Sequence, residues 1–521
     1  MASSSRASGA SRGICTHGFD FPRRIWYSAF PRLAPSDAAA LPPHPEHGTR
    51  WGLARIAAAL LLTSGTATAQ STALVGATVI DGTGRPGVPN AVVLVTGDRL
   101  TCVGTAAQCP VPASAARVDV TGRFVTPGLV DAHVHFSQTG WVDGRPDGIS
   151  APALYPYAET ARALRANPAR WYRSHLCSGV TAVYDVGGHP WTTSLPAQAE
   201  GDSMAPHVRA AGPLVTHAPQ SALRVDDEIY TFLPMATSAE VRNSVATLQA
   251  MGASAVKVWY LAPSAAQQGD LDARLSEVGA AARAAGLDLI VHATELRGAK
   301  AALRAGAAML VHSVEDEPLD DEFLSLMTNT RAVYAPTLLV GRNAVRAFAS
   351  IILGTRYPID DPGRCVDSNT VAKTARVAAL RTLIPDFTRA SERVLRRLDE
   401  TEVRSALMAE NLRRVHATGA TIVVATDAGN PLTFHGASIF AQLEAMQAAG
   451  LSAADVVVMA TRNGARAMGR LNDFGTLEAG KLADLLVLAE DPRADVRAFR
   501  SLTHVMRGGR LYEQAALAQR K

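Results

Sequence analysis

From Thr72 onward, short apolar runs alternate with polar positions in β-branched text: ALVGATVIDG, AVVLVTGDRLTCVG and ARVDVTGRFVTPG. Gly and Asp punctuate each run, which predicts a small all-β unit. Near the other end, GTLEAGKLADLLVLAEDP and LTHVMRGGRLYE carry the same pattern. Between them the period changes. Strand-like segments (LVDAHVHF, TAVYDVG, HVRAAGPLV, SAVKVWY, LDLIVHA, AAMLVHS, RAVYAPTL and TIVVATD) are separated by longer stretches. Several of these have helical spacing, such as Leu271–Ala285, Leu296–Ala305 and, after the last strand, Ser438–Ala449. Eight strands with crossover helices predict an α/β fold, a (β/α)8 barrel over residues 128–472. A long segment between the seventh and eighth strands, 341–418, is Arg-rich and reads as helical from about Asn369. It is expected to fold over the barrel mouth.

Composition supports a chain that forms a core. Of 521 residues, 47% are apolar and 19% charged, and no low-complexity run interrupts the body. The formal charge of +4 is misleading, because residues 1–69 carry seven Arg against Asp20, Asp37 and Glu46. The remainder is balanced, with no basic stripe that would point to nucleic acid or a membrane surface.

The leader has its own signature. Arg50 and Arg55 precede the apolar run 56–62 and an Ala-x-Ala site at Ala67–Ala69. That order predicts a secretory signal cleaved before Gln70, hence a secreted or periplasmic protein. Seven apolar residues are too few for a membrane span, which needs about 20. The Ser-, Arg- and Pro-rich lead before Arg50 is expected to precede the true translation start. Beyond the leader stand Cys102, Cys109, Cys177 and Cys365, an even number suited to an oxidising compartment. Cys102 and Cys109 are spaced to bridge a short turn, although four free buried thiols fit the same count. None has zinc-site spacing.

Residues able to bind metal recur near the C-terminal ends of the predicted strands, where barrel active sites lie. His133 and His135 stand two apart on one strand and so share a face. Lys257 lies inside the apolar AVKVW, where an unpaired ammonium is costly. His292 closes LDLIVHA, His312 closes AAMLVHS, and Asp427 ends TIVVATD. Singly, each has an ordinary reading as a satisfied core histidine, an outward edge-strand lysine or a helix cap. Together, six such residues at matching ends of strands one, four, five, six and eight indicate a centre for divalent cations.

These motifs resemble the amidohydrolase superfamily, from about Leu74 to Tyr512. VTPGLVDAHVHF, VKVW, IVHATE, LVHS, VVATDAG, ATRNGARAMG and GTLEAGKLADLLVL carry the resemblance. It is strongest to the secreted, imidazolonepropionase-like branch that includes Xaa-Pro dipeptidases. The resemblance implies a TIM barrel flanked by a β-sandwich formed by both chain ends, residues 70–127 and 473–521. It also implies two divalent ions, Zn2+ foremost. His133, His135 and Asp427 would hold one ion and His292 and His312 the other, with Lys257 bridging both as a CO2-derived carbamate. A hydroxide shared by the two ions would attack the amide of a small molecule, dipeptide or N-acyl amino acid. Asp427 would move the proton.

Alternatives stay open at this stage. Glu295 completes His-x-x-Glu with His292, as in one-metal deaminases and imidazolonepropionases of the superfamily, where such a Glu shuttles the proton. The same centre also suits an esterase, lactonase or phosphotriesterase, and a metal-free scaffold is the reading outside enzymes. Tyr260, His217 and Arg342 are candidate substrate contacts beside Glu295. A homo-oligomer is compatible with all of this.

Overall fold

The computed structural model describes residues 71–261, 267–384 and 387–520. The predicted leader and its cleavage site lie outside these residues. The first strands are β1 (Ser71–Val79), β2 (Val88–Thr96), β3 (Arg99–Thr105), β4 (Ala116–Asp119) and β5 (Phe124–Pro127). The inner strands follow: β6 (Leu129–Val134), β7 (Val180–Asp185), β8 (His207–Ala210), β9 (Leu214–Thr216) and β10 (Phe232–Pro234). They continue with β11 (Ala255–Trp259), β12 (Asp288–His292), β13 (Met309–Val311) and β14 (Val333–Ala335). β15 (Leu485–Leu488), β16 (Leu502–Arg507) and β17 (Arg510–Glu513) end the series.

Both chain ends meet in one sheet of order β17-β16-β15-β5-β1-β2-β3, with β4 beside β1. Of the expected flanking β-sandwich, the meeting of both chain ends is present, and their strands form one mixed sheet. β5 joins the two ends by pairing parallel with β1 and antiparallel with β15, so seven strands share one hydrogen-bonded path and β4 branches from β1. Alternate residues such as Leu74, Val93, Val125, Leu485 and Met506 bury one face of it.

The inner strands form a TIM-barrel-like α/β arrangement. β6-β7-β8 are parallel, and so is the sheet β10-β9-β11-β12-β13-β14. The predicted eighth strand is extended chain joined by isolated bridges rather than a full ladder. It still links β14 to β6: Val423 N–H donates to Tyr334 O (3.1 Å), and Ala132 N–H to Val424 O (2.9 Å). The predicted third strand breaks into β8 and β9, because Pro213 lacks an N–H and Gly212 turns at φ +68°. Side chains from successive inner strands, among them Ala132, Ala182, Ala255, Ile290, Val311 and Val423, fill the interior.

Predicted helices appear as Gln268–Ala284, Leu296–Arg304 and Ser438–Ala448. The insertion after β14 becomes helical earlier than its composition suggested, with a helix at Val340–Leu353 and a later one at Phe387–Ala417. It packs on loops leaving the C-terminal ends of the inner strands. Asn411 donates to Val314 O and Glu317 O, Thr370 to Thr139 O, and Asn343 to Leu432 O. Among the described residues no helix is long and apolar enough to cross a membrane. Cys102 is bonded to Cys109, as the turn spacing allowed, and Cys177 to Cys365.

Candidate metal centre

The end of β6 delivers His133 and His135 to the interior beside Asp427. His133 Nε2 lies 3.2 Å from His135 Nε2, and Asp427 Oδ1 lies 3.2 Å from the first and 2.9 Å from the second. Ligand atoms about 2.0–2.1 Å from a tetrahedral ion stand about 3.3 Å apart, so this triangle has the dimensions of a cation's coordination face. His133, His312 and Asp427 each offer an atom within 4.8 Å of the others. His292 stands against His312 with ring centroids 4.3 Å apart, and His133 lies 5.1 Å from His312. Lys257 is fully buried in β11. Five of the six predicted residues thus form one chain of short contacts, and Lys257 acts electrostatically on His133, His292 and His312.

The backbone is strained where the ligands sit. His312, Thr337 and Asp427 have φ of +77°, +40° and +61°, the left-handed region that non-glycine residues avoid. Gly429 follows Asp427 at φ +113°, and a Cβ there would meet His135 O at 2.8 Å. Only glycine lets the two backbones approach so closely.

A polar frame holds these side chains. His135 Nδ1 donates to Gly187 O (2.5 Å), leaving Nε2 as the lone-pair nitrogen. His312 Nδ1 bonds Thr337 Oγ1 at 2.8 Å. Asp131 accepts from the N–H groups of His133 and Thr426, and Asp185 from those of Phe136 and Gly187. His435 Nε2 donates to His135 O (3.0 Å) while its ring stacks on Trp171, whose Nε1 donates to Phe136 O. Asn430 donates to Asp427 Oδ1 (2.8 Å) and accepts from Arg145. Sequence reasoning missed these supports. Asp131 and Asp185 were visible as the acids of LVDAHVHF and TAVYDVG, but nothing in the text marked them as acceptors for backbone amides.

Burial sets the protonation states. It pushes His133 and His292 well below the usual imidazole value and His312 to about 4, so all three are neutral ligands at pH 7. Burial also lowers Lys257 to about 7, and among the described residues it makes no ion pair or hydrogen bond. Burial alone would raise Asp427, but His133 and His135 outweigh it and keep the carboxylate ionised. The donor set is two imidazole nitrogens, a carboxylate oxygen and two further imidazoles. Neutral imidazole nitrogens with one ionised carboxylate fit a divalent cation of the zinc type.

The candidate substrate residues scatter more widely. Glu295 occupies the N-cap position of the helix Leu296–Arg304, without a capping bond from its side chain. The Tyr260 hydroxyl is committed to Asp272 and Gln268, on the face of β11 opposite Lys257. His217 lies 6.4 Å from the Tyr260 ring and lines a cavity of about 560 Å3 with Thr237, Ser238 and Arg274. Arg342 sits on the helix Val340–Leu353, 4.0 Å from Glu402. No described contact joins Tyr260, His217 or Arg342 to the His–Asp group.

Residues 124–512 match the amidohydrolase family. The chain belongs to that family. It is a hydrolase acting on carbon–nitrogen bonds, and metal-dependent amide hydrolysis is its general chemistry. An imidazolonepropionase of Streptomyces coelicolor is 25% identical over 77% of this chain and 86% of its own length. One from Caulobacter vibrioides is 24% identical over 78% and 89%. Among solved structures, a Xaa-Pro dipeptidase with bound methionine in its active site matches at TM-score 0.64 and 21% identity, covering 85% of this chain and all of the other. Likeness at that identity supports the fold.

Proposed function

We propose that the chain is a binuclear amidohydrolase cleaving the amide bond of a small molecule, dipeptide or N-acyl amino acid. In this reading His133, His135 and Asp427 hold one divalent ion and His292 and His312 the other, with Lys257 between them. The observation that carries it is Lys257: a fully buried lysine that makes no ion pair or hydrogen bond among the described residues, set among neutral imidazoles, with the Asp427 carboxylate acting on it only electrostatically. A one-ion site, in which Glu295 would shuttle the proton, has no use for that residue. With its pKa lowered to about 7 by burial, about half of the Lys257 amine is neutral near pH 7; that form can add CO2 and release a proton, and the resulting carbamate is an anion able to face two cations.

When bound, such ions supply Lewis acidity to the scissile carbonyl and lower the pKa of water. The chain's own residues supply the rest. Asp427 Oδ1 is engaged by His133, His135 and Asn430. Oδ2 accepts no hydrogen bond among the described residues and lies 3.9 Å from His312 Nδ1. Oδ2 is therefore the oxygen placed to accept the proton of the attacking water and return it to the departing amine. The Gly187 carbonyl and Thr337 hydroxyl keep the His135 and His312 rings in the tautomer and orientation a ligand needs. The secreted or periplasmic location belongs to the same reading and is supported by the two disulfides.

Metal analysis of the purified full chain, with hydrolysis of a panel of dipeptides, N-acyl amino acids and lactones, tests this function. About two ions per chain and preferential amide cleavage are expected. One ion per chain, or turnover of lactones alone, refutes it.

A further inference from the structure

Beyond the ligand residues, the ring of Trp259 presents an unassigned feature. In β11 it stands two residues past Lys257, so both project to the same side, and it pairs in register with His292 of β12. At about 3.3 Å per residue, it sits about 6.6 Å farther along the strand toward the C-terminal mouth than Lys257. Its indole meets the His292 ring edge to face, with centroids 6.2 Å apart and planes at 83°. On its other side Phe232 of β10 stacks nearly parallel, at 5.1 Å and 9°. Both aromatic side chains remain partly exposed.

We infer that Trp259 and Phe232 form an aromatic shelf that selects substrates carrying a planar aromatic group next to the scissile amide. This rests on the amidohydrolase reading above and names its substrate class. A carbonyl placed at the His–Asp group has its substituents one to three bonds away, within reach of an indole 6.2 Å from His292. An aromatic ring there gains offset or edge-to-face contact and covers apolar surface that the two residues otherwise leave to water. A purely structural aromatic pair would be sealed by neighbours. This one borders the ligand His292 on the interior face.

Equilibrium binding of phenylacetamide and of acetamide to the full chain, measured by calorimetry or ligand-observed NMR, reads the shelf without requiring turnover. Wild type is expected to bind phenylacetamide at least about tenfold more tightly than acetamide. Trp259→Ala should abolish most of that ratio and Trp259→Phe retain most of it, with metal content unchanged in both. Phe232→Ala, on a three-residue strand, is the second variant should Trp259→Ala fail to fold, and it should cut the ratio severalfold. Equal binding of the two amides by wild type, binding of neither, or an unchanged ratio in these Ala variants overturns the inference. Failure of the parent reading looks different: the ratio persists while the chain holds fewer than two ions or hydrolyses no amide.

Discussion

Lys257 decides how many cations the centre can hold. Replacing it with Ala leaves His133, His135 and Asp427 for one ion and only two histidines for the other, too few to retain a catalytic ion well. The expected result is loss of about one metal per chain and a fall in kcat of several orders of magnitude. Glu295→Gln should leave most activity, since Glu295 stands at a helix start rather than among the ligands. Full activity in Lys257→Ala together with a dead Glu295→Gln would reverse the assignment. One layer out, His435 donates to the backbone carbonyl of His135 and is fixed on Trp171. Outer supports of this kind are worth about 10–100-fold in metal affinity. His435→Leu should therefore speed zinc release to a chelator by about that factor, and His435→Gln, which keeps an N–H donor, by less. Release at the wild-type rate in His435→Leu would show that the carbonyl needs no such anchor.

At the scale of elements, what could be read in the sequence was what a single period encodes. The apolar runs ending in His292, His312 and Asp427 located the site because an inner strand has one interior face and one end for chemistry. The helix Leu296–Arg304 was equally legible from its spacing. What long-range pairing decides was not legible. Nothing local shows that β5 would bond to both β1 and β15 and merge the chain ends into one sheet. Likewise the break of the third strand at Gly212 and Pro213 depends on a turn at φ +68° that the apolar run around it does not announce, and the helix at Val340–Leu353 lies in text whose composition did not mark it. The disulfides divide the same way, since Cys102–Cys109 closes a turn seven residues long, whereas Cys177–Cys365 spans 188 positions. In a loop-entropy description the longer link contributes more, up to about 4–5 kcal/mol, against less than about 3 for the short one. Replacing Cys177 and Cys365 with Ala should lower the denaturant midpoint clearly more than the same change at Cys102 and Cys109. Equal losses would mean that native strain, rather than loop length, sets their worth.

Across the whole molecule, one buried polar network ties the inner strands to the flanking sheet, and it gives stability a defined pH dependence. His207 opens β8 and is held from both sides, Nε2 by Asp484 Oδ2 and Nδ1 by Glu200 Oε1, at 2.8 and 2.7 Å. Arg470 pairs with Glu200, and Arg507 of β16 lies 3.8 Å from Asp484. Burial alone would lower the His207 pKa, but Asp484 and Glu200 outweigh it and hold the imidazolium above its usual value. Burial would likewise raise both carboxyls, yet His207 with the arginines keeps Asp484 below its ordinary range and Glu200 at about 2. A raised base stabilises fully below its unfolded pKa, near 6.5, and that contribution fades as pH rises through the folded value. The lowered acids stabilise above about 4 and lose their contribution as pH falls through their folded values. The network is therefore strongest between about pH 5 and 6.5. Denaturant unfolding at pH 6 and pH 9 should show wild type losing stability across that interval. In His207→Gln the loss should flatten, and at pH 6 the variant should be less stable by about 3 kcal/mol, because Asp484 is left buried with a weaker partner. An unaltered pH slope in His207→Gln would place the alkaline sensitivity elsewhere in the molecule.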